Sequence, residues 1–171
     1  MSHVFLIGFM GAGKSTVARL VGEELGRPCV DLDEVIEAEA GHSVREIFEE
    51  IGEAAFRELE SAELGALADA VPSVVACGGG IVLSAENRSA LKRMGLCVYL
   101  KVSAGETLAR VGADGTRPLL SGPGGVIAAT SLLEARESLY CAVGDVAIDT
   151  VGRSVDDVAR DVVAAVKERD A

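Results

Sequence analysis

Apolar residues along this chain follow two rhythms that alternate from one end to the other. Short unbroken runs, typical of strands buried on both faces, are separated by longer stretches in which apolar residues recur every three or four positions. The runs predict strands at His3–Ile7, Pro28–Asp31, Val74–Cys77, Cys97–Val102 and Val146–Ile148. After the first of them, Val17, Leu20, Val21 and Leu25 lie on one helical stripe that Gly26 would terminate. Ser43 with Glu46, and Ser103 with Glu106, read as capping boxes that open helices. The last helix begins near Ser154 and carries Val155, Val158, Val162 and Val166 along one face. Strands alternating with amphipathic helices predict an α/β fold with five parallel strands, helices on both faces, and ligands at the carboxyl ends of the strands.

The segment joining the first strand to the first helix reads Gly8-Phe9-Met10-Gly11-Ala12-Gly13-Lys14-Ser15-Thr16. This is the phosphate-binding pattern G-x-x-x-x-G-K-[ST] in its expected setting. Its glycines let backbone N–H groups curl around an anion, and the helix that follows aims its positive end at the same place. Lys14 would meet the β- and γ-phosphates, and the Ser15 hydroxyl is placed to ligate Mg²⁺.

Composition narrows the partners. With 171 residues the chain suits one domain. Its net charge of −11 disfavours nucleic acid and offers no polybasic patch for a membrane surface. No apolar stretch is long enough to span a bilayer, and no export signal opens the chain, so the expected location is cytoplasmic. Cys29, Cys77, Cys97 and Cys141 form no C-x-x-C pair, and three of them sit in or beside apolar runs, which predicts buried reduced thiols. An acidic protein that binds a polyphosphate must concentrate its cations at the site. Twelve of its 16 basic residues are arginines, the better partner for bidentate phosphate and carboxylate contacts.

A second substrate has candidate contacts of its own. Asp31 and Asp33 project to one side if the chain stays extended, so one could hold Mg²⁺ through water while the other orients a substrate hydroxyl. The alternative for either acid is stabilising the start of the following helix. Gly78-Gly79-Gly80 ends the third strand, either as a tight turn or as bare backbone that a compact ligand approaches closely. By spacing alone Arg57 and Arg136 read as helix-surface arginines with glutamate partners, and His3 and His42 carry no motif. Residues 112–125 are too rich in Gly and Pro for a packed element. They read as a linker or as a lid, and Arg117 within them suits a lid that excludes water from phosphoryl transfer.

In this order the motifs resemble those of shikimate kinases. The phosphate loop is followed by Asp31-Leu32-Asp33, Gly52-Glu53, Phe56-Arg57, Gly78-Gly79-Gly80, Arg117-Pro118-Leu119-Leu120, and Arg136 with Leu139-Tyr140. The resemblance implies a nucleoside monophosphate kinase-like fold with strand order 2-3-1-4-5. It also implies ATP-dependent phosphorylation of the shikimate 3-hydroxyl in aromatic amino-acid biosynthesis. The chain is expected to act as a monomer. Asp33 would contact the substrate hydroxyls, Arg57 and Arg136 the carboxylate, and Gly78, Gly79 and Gly80 would pack alongside. Gly11, Ala12, Gly13, Lys14, Ser15 and Thr16 would hold the ATP phosphates, Arg117 would close over them, and Arg110 and Arg153 would lie near the adenine. Mg²⁺ would sit on Ser15 directly and on Asp31 through water. The chain departs from the family pattern at Ser138, often Pro, and in the loop Thr150-Val151-Gly152-Arg153-Ser154. Two rivals are another small-metabolite kinase on the same fold, such as a gluconate kinase, and a nucleotide switch without turnover.

Overall fold

The computed structural model describes residues 2–111 and 124–171, with the apolar runs folded as five strands. These are β1 (His3–Ile7), β2 (Cys29–Asp31), β3 (Val74–Ala76), β4 (Gly95–Lys101) and β5 (Val146–Asp149). All pairings are parallel, and the order is β2-β3-β1-β4-β5. Phe5, Leu6 and Ile7 in β1 are fully buried. Each such side chain contributes about 1.5–3 kcal/mol on leaving water.

The periodic stretches form α1 (Lys14–Leu25), α2 (Leu32–Ala40), α3 (Val44–Ala66), α4 (Ala85–Met94), α5 (Ala104–Val111), α6 (Gly125–Val143) and α7 (Val155–Asp170). The α1 helix packs against α7, and α4 packs against α3 and α6, so two helical groups flank the sheet. Gly26 ends α1 in the left-handed conformation, as its position predicts. The Ser43–Glu46 capping box is complete. At α5 only half of the expected box forms: the Glu106 N–H donates to Ser103 Oγ at 3.2 Å, while the Glu106 carboxylate turns to other partners.

Several boundaries differ from expectation for identifiable reasons. β4 starts at Gly95 rather than Cys97 because α4 runs straight into it, and a Cβ at Gly95 would overlap the His3 carbonyl. The chain turns helical at Leu32, so Asp31 and Asp33 do not share one extended strand. β2 is an edge strand, which leaves Cys29 exposed rather than buried; Cys77 and Cys97 are buried, Cys141 is exposed, and all four are free thiols. Gly52, at φ 85° and ψ 169°, breaks α3 in a conformation that favours glycine. His3, which has no motif context, proves structural: it is buried, its Nε2–H donates to Leu67 O at 3.0 Å, and its Nδ1 accepts from the Ser73 N–H at 3.1 Å.

The strand order brings the chemistry together. β2, β3 and β1 are neighbours, so the chain after each of their carboxyl ends meets at one rim of the sheet. That rim carries Asp31 to Asp33, the triple glycine, and the phosphate loop. Of the expected lid, residues 112–123 with Arg117 lie outside the described residues, and Gly124 and Gly125 open α6.

Candidate active site

The phosphate loop closes over the rim between β1 and α1. Gly8 has φ 146°, and a Cβ there would strike the Leu100 carbonyl of β4, so the loop can leave the sheet only through a glycine. Gly13 caps α1 at φ 85° and ψ 19°, and the first N–H groups of α1 have no acceptor within the helix. The loop's carbonyls are held from behind. Thr107 Oγ1 donates to Met10 O at 3.1 Å, and Arg110 Nη1 donates to Gly11 O at 2.9 Å. Lys14 Nζ donates to Gly8 O at 2.9 Å and to Phe9 O at 3.0 Å, which keeps its ammonium at the mouth of the loop.

One flank of the loop opens into a cavity of about 740 Å³ lined by Ala12, Gly13, Thr16, Arg110, Arg153 and the start of α7. Arg110 and Arg153, both expected near the adenine, thus share this flank of the loop. Neither is a loose surface cation: Arg153 pairs with Asp161 at 2.8 Å, and Arg110 pairs with Glu106 at 3.1 Å and donates to Thr150 O at 3.4 Å. Glu106 also accepts the Gly152 N–H at 3.1 Å. One carboxylate therefore ties the atypical Thr150–Ser154 loop to the arginine that holds the phosphate loop. As a capping-box residue in the sequence, Glu106 gives no sign of this role.

The other flank opens into a cleft of about 480 Å³ lined by Met10, Asp33, Val44, Phe48, Phe56, Arg57, Gly78, Gly79, Gly80 and Arg136. Asp33, Arg57, Arg136 and the three glycines, which the resemblance assigns to a second substrate, all face this one space, while Asp31 does not line it. Arg57 is clamped on several sides: Nη1 donates to Glu60 at 2.9 Å, Nη2 to Glu53 at 3.2 Å, and its Cζ lies 5.3 Å from the Phe56 ring centre and 5.8 Å from that of Phe48. It is a rigidly held cation rather than a surface arginine. Arg136 is buried, with Nη1 3.4 Å from Gly79 O and Nε without a hydrogen-bond partner. A buried guanidinium with spare donors suits a carboxylate ligand.

The three glycines make room mainly for the protein's own side chains. A Cβ at Gly78 would overlap Glu60 Oε1 and come within 3.0 Å of Asp33 Oδ1, and a Cβ at Gly80 would overlap the Arg57 guanidinium. Of the three, only at Gly79 would a Cβ have ordinary clearance, 3.5 Å from Met10 N. Gly78 and Gly80 lack side chains so that Glu60, Asp33 and Arg57 can lie flat against the strand end, whereas no side chain of the described residues takes up the space beside Gly79 in this way. Asp31 has a definite structural task as the cap of α2, its Oδ1 accepting from Asp33 N at 3.1 Å and Glu34 N at 3.3 Å.

Two residues behind the cleft have a role that the sequence does not assign them, Tyr140 although it belongs to the Leu139-Tyr140 motif. Glu60 is fully buried, and its desolvation pushes its pKa up although the Arg57 charge pulls it down. Tyr140 is fully buried, stacks on Tyr99 at 5.1 Å, and its hydroxyl donates to Gly79 O. Spacing hints only at the first, three residues beyond Arg57 on one helix.

Comparison with known proteins agrees with this geometry. Residues 10–167 match the family model for shikimate kinase. The shikimate kinase of Geobacter sulfurreducens is 44% identical over 166 residues, 97% of this chain and 91% of that protein. That of Symbiobacterium thermophilum is 40% identical over 169 residues, 98% of this chain and 97% of that protein. A solved structure of shikimate kinase from Acinetobacter baumannii in complex with shikimate superposes with a TM-score of 0.95 at 36% identity, covering 99% of this chain and 94% of that one. This chain belongs to the shikimate kinase family.

Proposed function

We propose that this protein transfers the γ-phosphoryl group of ATP to the 3-hydroxyl of shikimate. One observation carries the reading: Asp33, Arg57 and Arg136 line one small cleft whose wall, at Gly79 and Met10, is also the edge of the phosphate loop. A compact hydroxy acid held there would present its hydroxyl to the terminal phosphate. Arg57 and Arg136 would hold its carboxylate, and Asp33 would accept a proton or hydrogen bond from the attacking hydroxyl. Lys14 and the amides of Gly11, Ala12, Gly13, Lys14, Ser15 and Thr16 would bind the phosphates, with the adenosine toward Arg110 and Arg153. Arg117 would close over the phosphates as the lid's cation.

The donors at the loop suit Mg²⁺. Ser15 offers a hydroxyl at the start of α1, and among the described residues no three His, Cys, Asp or Glu side chains cluster as a dedicated cage. Mg²⁺ commonly takes one or two protein oxygens and completes its shell with phosphate and water. Ser15 would hold it directly, and Asp31, already occupied with capping α2, would reach it through water. When bound, the ion would supply positive charge to the bridging phosphate oxygens.

No helix of the described residues is long and apolar enough to cross a membrane. The reading places the protein in the cytoplasm as a monomer. The test is coupled ADP release with ATP and a panel of shikimate, gluconate and no acceptor. Release stimulated by shikimate alone supports the reading. Release stimulated by gluconate, or ATP binding without any acceptor-dependent release, would reject it.

A further inference from the structure

Tyr140 takes no part in the chemistry above, yet it touches two groups of the substrate cleft. Its hydroxyl donates to Gly79 O, and the Arg136 guanidinium lies against the same hydroxyl. Arg136 Nη1 also reaches toward Gly79 O, at a long 3.4 Å. Tyr140 and Arg136 stand one helical turn apart on α6, so one face of that helix aims both at a single carbonyl. The ring is fully buried and stacked on Tyr99 at 5.1 Å and 21°, which fixes the hydroxyl's position. Burial lifts the Tyr140 pKa to about 12, so the hydroxyl remains a donor at neutral pH.

A carbonyl beside a buried guanidinium competes with any incoming carboxylate for that cation. Resting on the shikimate reading above, we infer that Tyr140 is a positioning residue for the carboxylate end of the substrate. Its hydroxyl satisfies Gly79 O and so leaves the Arg136 guanidinium available to the ligand. Removing the hydroxyl leaves Gly79 O to Arg136. The guanidinium then closes on the carbonyl, and the substrate carboxylate has to displace it. A Cβ at Gly79 would lie 3.5 Å from Met10 N and 3.6 Å from Gly8 O, so the same bond tethers a residue that borders both the cleft and the phosphate loop.

The decisive variant is Tyr140→Phe, which keeps the ring and its stack. It is compared with Tyr99→Phe, which removes the hydroxyl of the stacked partner, bonded to Glu137 instead. Steady-state kinetics should show the shikimate KM raised about three- to tenfold by Tyr140→Phe, the range of one neutral hydrogen bond. The kcat and the ATP KM should stay within about twofold, and Tyr99→Phe should leave the shikimate KM unchanged. In an Arg136→Lys background the Tyr140→Phe penalty should shrink below about twofold. An unchanged shikimate KM overturns the inference. So does an equal rise in the ATP KM, an equal effect of Tyr99→Phe, or an undiminished penalty beside Arg136→Lys. Absence of shikimate turnover in the unmodified protein is a separate result, which rejects the functional reading and this inference with it.

Discussion

The Arg57 guanidinium donates to the Glu60 carboxylate at 2.9 Å, and Glu60 is fully buried beneath it. Burial of the carboxylate is the largest influence on Glu60 and raises its pKa above the ordinary 4.5; Arg57 pulls the other way, and Asp33 adds to the rise. The folded chain therefore holds that proton more tightly than the unfolded chain. Stability contributed by this group is fully present below the unfolded value and is lost as pH rises through the raised folded value. Glu60→Gln removes the titration. The melting temperature of Glu60→Gln relative to the unmodified protein should climb from pH 4.5 toward neutrality and then level off. Calorimetry across that range checks it, and a pH-independent difference would contradict it.

Gly80 has no side chain because the Arg57 guanidinium occupies the space a Cβ would need. That guanidinium is held between Glu53, Glu60 and two aromatic rings, so it cannot swing away freely. Gly80→Ala should displace it at a cost of about 1–3 kcal/mol. The expected result is a shikimate KM raised about ten- to hundredfold, with the ATP KM little changed. Initial-rate kinetics with each substrate varied in turn measures both.

Much of this site was legible in the residues, and the reasons for the rest are physical. The phosphate loop announces itself because glycine, lysine and serine each perform a task no other residue does as well. The Ser43–Glu46 cap is equally local, and it forms as read. Glu60 is different, because it sits in an ordinary helical run and acquires its importance only from what packs against it; Tyr140 belongs to the Leu139-Tyr140 motif, but its task too emerges only from its packing. Asp31 and Asp33 misled for a related reason: period-two alternation applies only while the strand lasts, and the helix begins at Leu32. Cys29 misled because an apolar run does not say whether its strand lies at the centre or the edge of the sheet.

Glu106 links two loops that approach the cavity proposed for the nucleotide, through the Gly152 N–H and through Arg110. Glu106→Ala should loosen both and raise the ATP KM by about tenfold. Its contacts lie on the other flank of the phosphate loop from the Asp33 cleft, which predicts an unchanged shikimate KM. Nucleotide titration by calorimetry, with and without shikimate, tests whether the loss is confined to the nucleotide.

His3 joins the start of β1 to the segment after α3, its Nε2–H donating to Leu67 O and its Nδ1 accepting from the Ser73 N–H. His3→Ala would leave the buried Ser73 N–H and Leu67 carbonyl without that partner. The expected loss is about 2–4 kcal/mol of folding stability, read by urea denaturation, with kcat and both KM values retained. Altered kinetics with unchanged stability would contradict a purely structural role.

The central claim is that the Asp33 side of the cleft, beside the phosphate loop, is where a shikimate hydroxyl accepts the phosphoryl group. Shikimate-dependent ADP release by Asp33→Asn, measured alongside the unmodified protein at saturating substrate, tests it most directly. The prediction is shikimate-stimulated release by the unmodified protein and a kcat lower by about 100-fold or more in Asp33→Asn, the scale of a lost general base. Undiminished release by the variant, or release indifferent to shikimate in the unmodified protein, would contradict it.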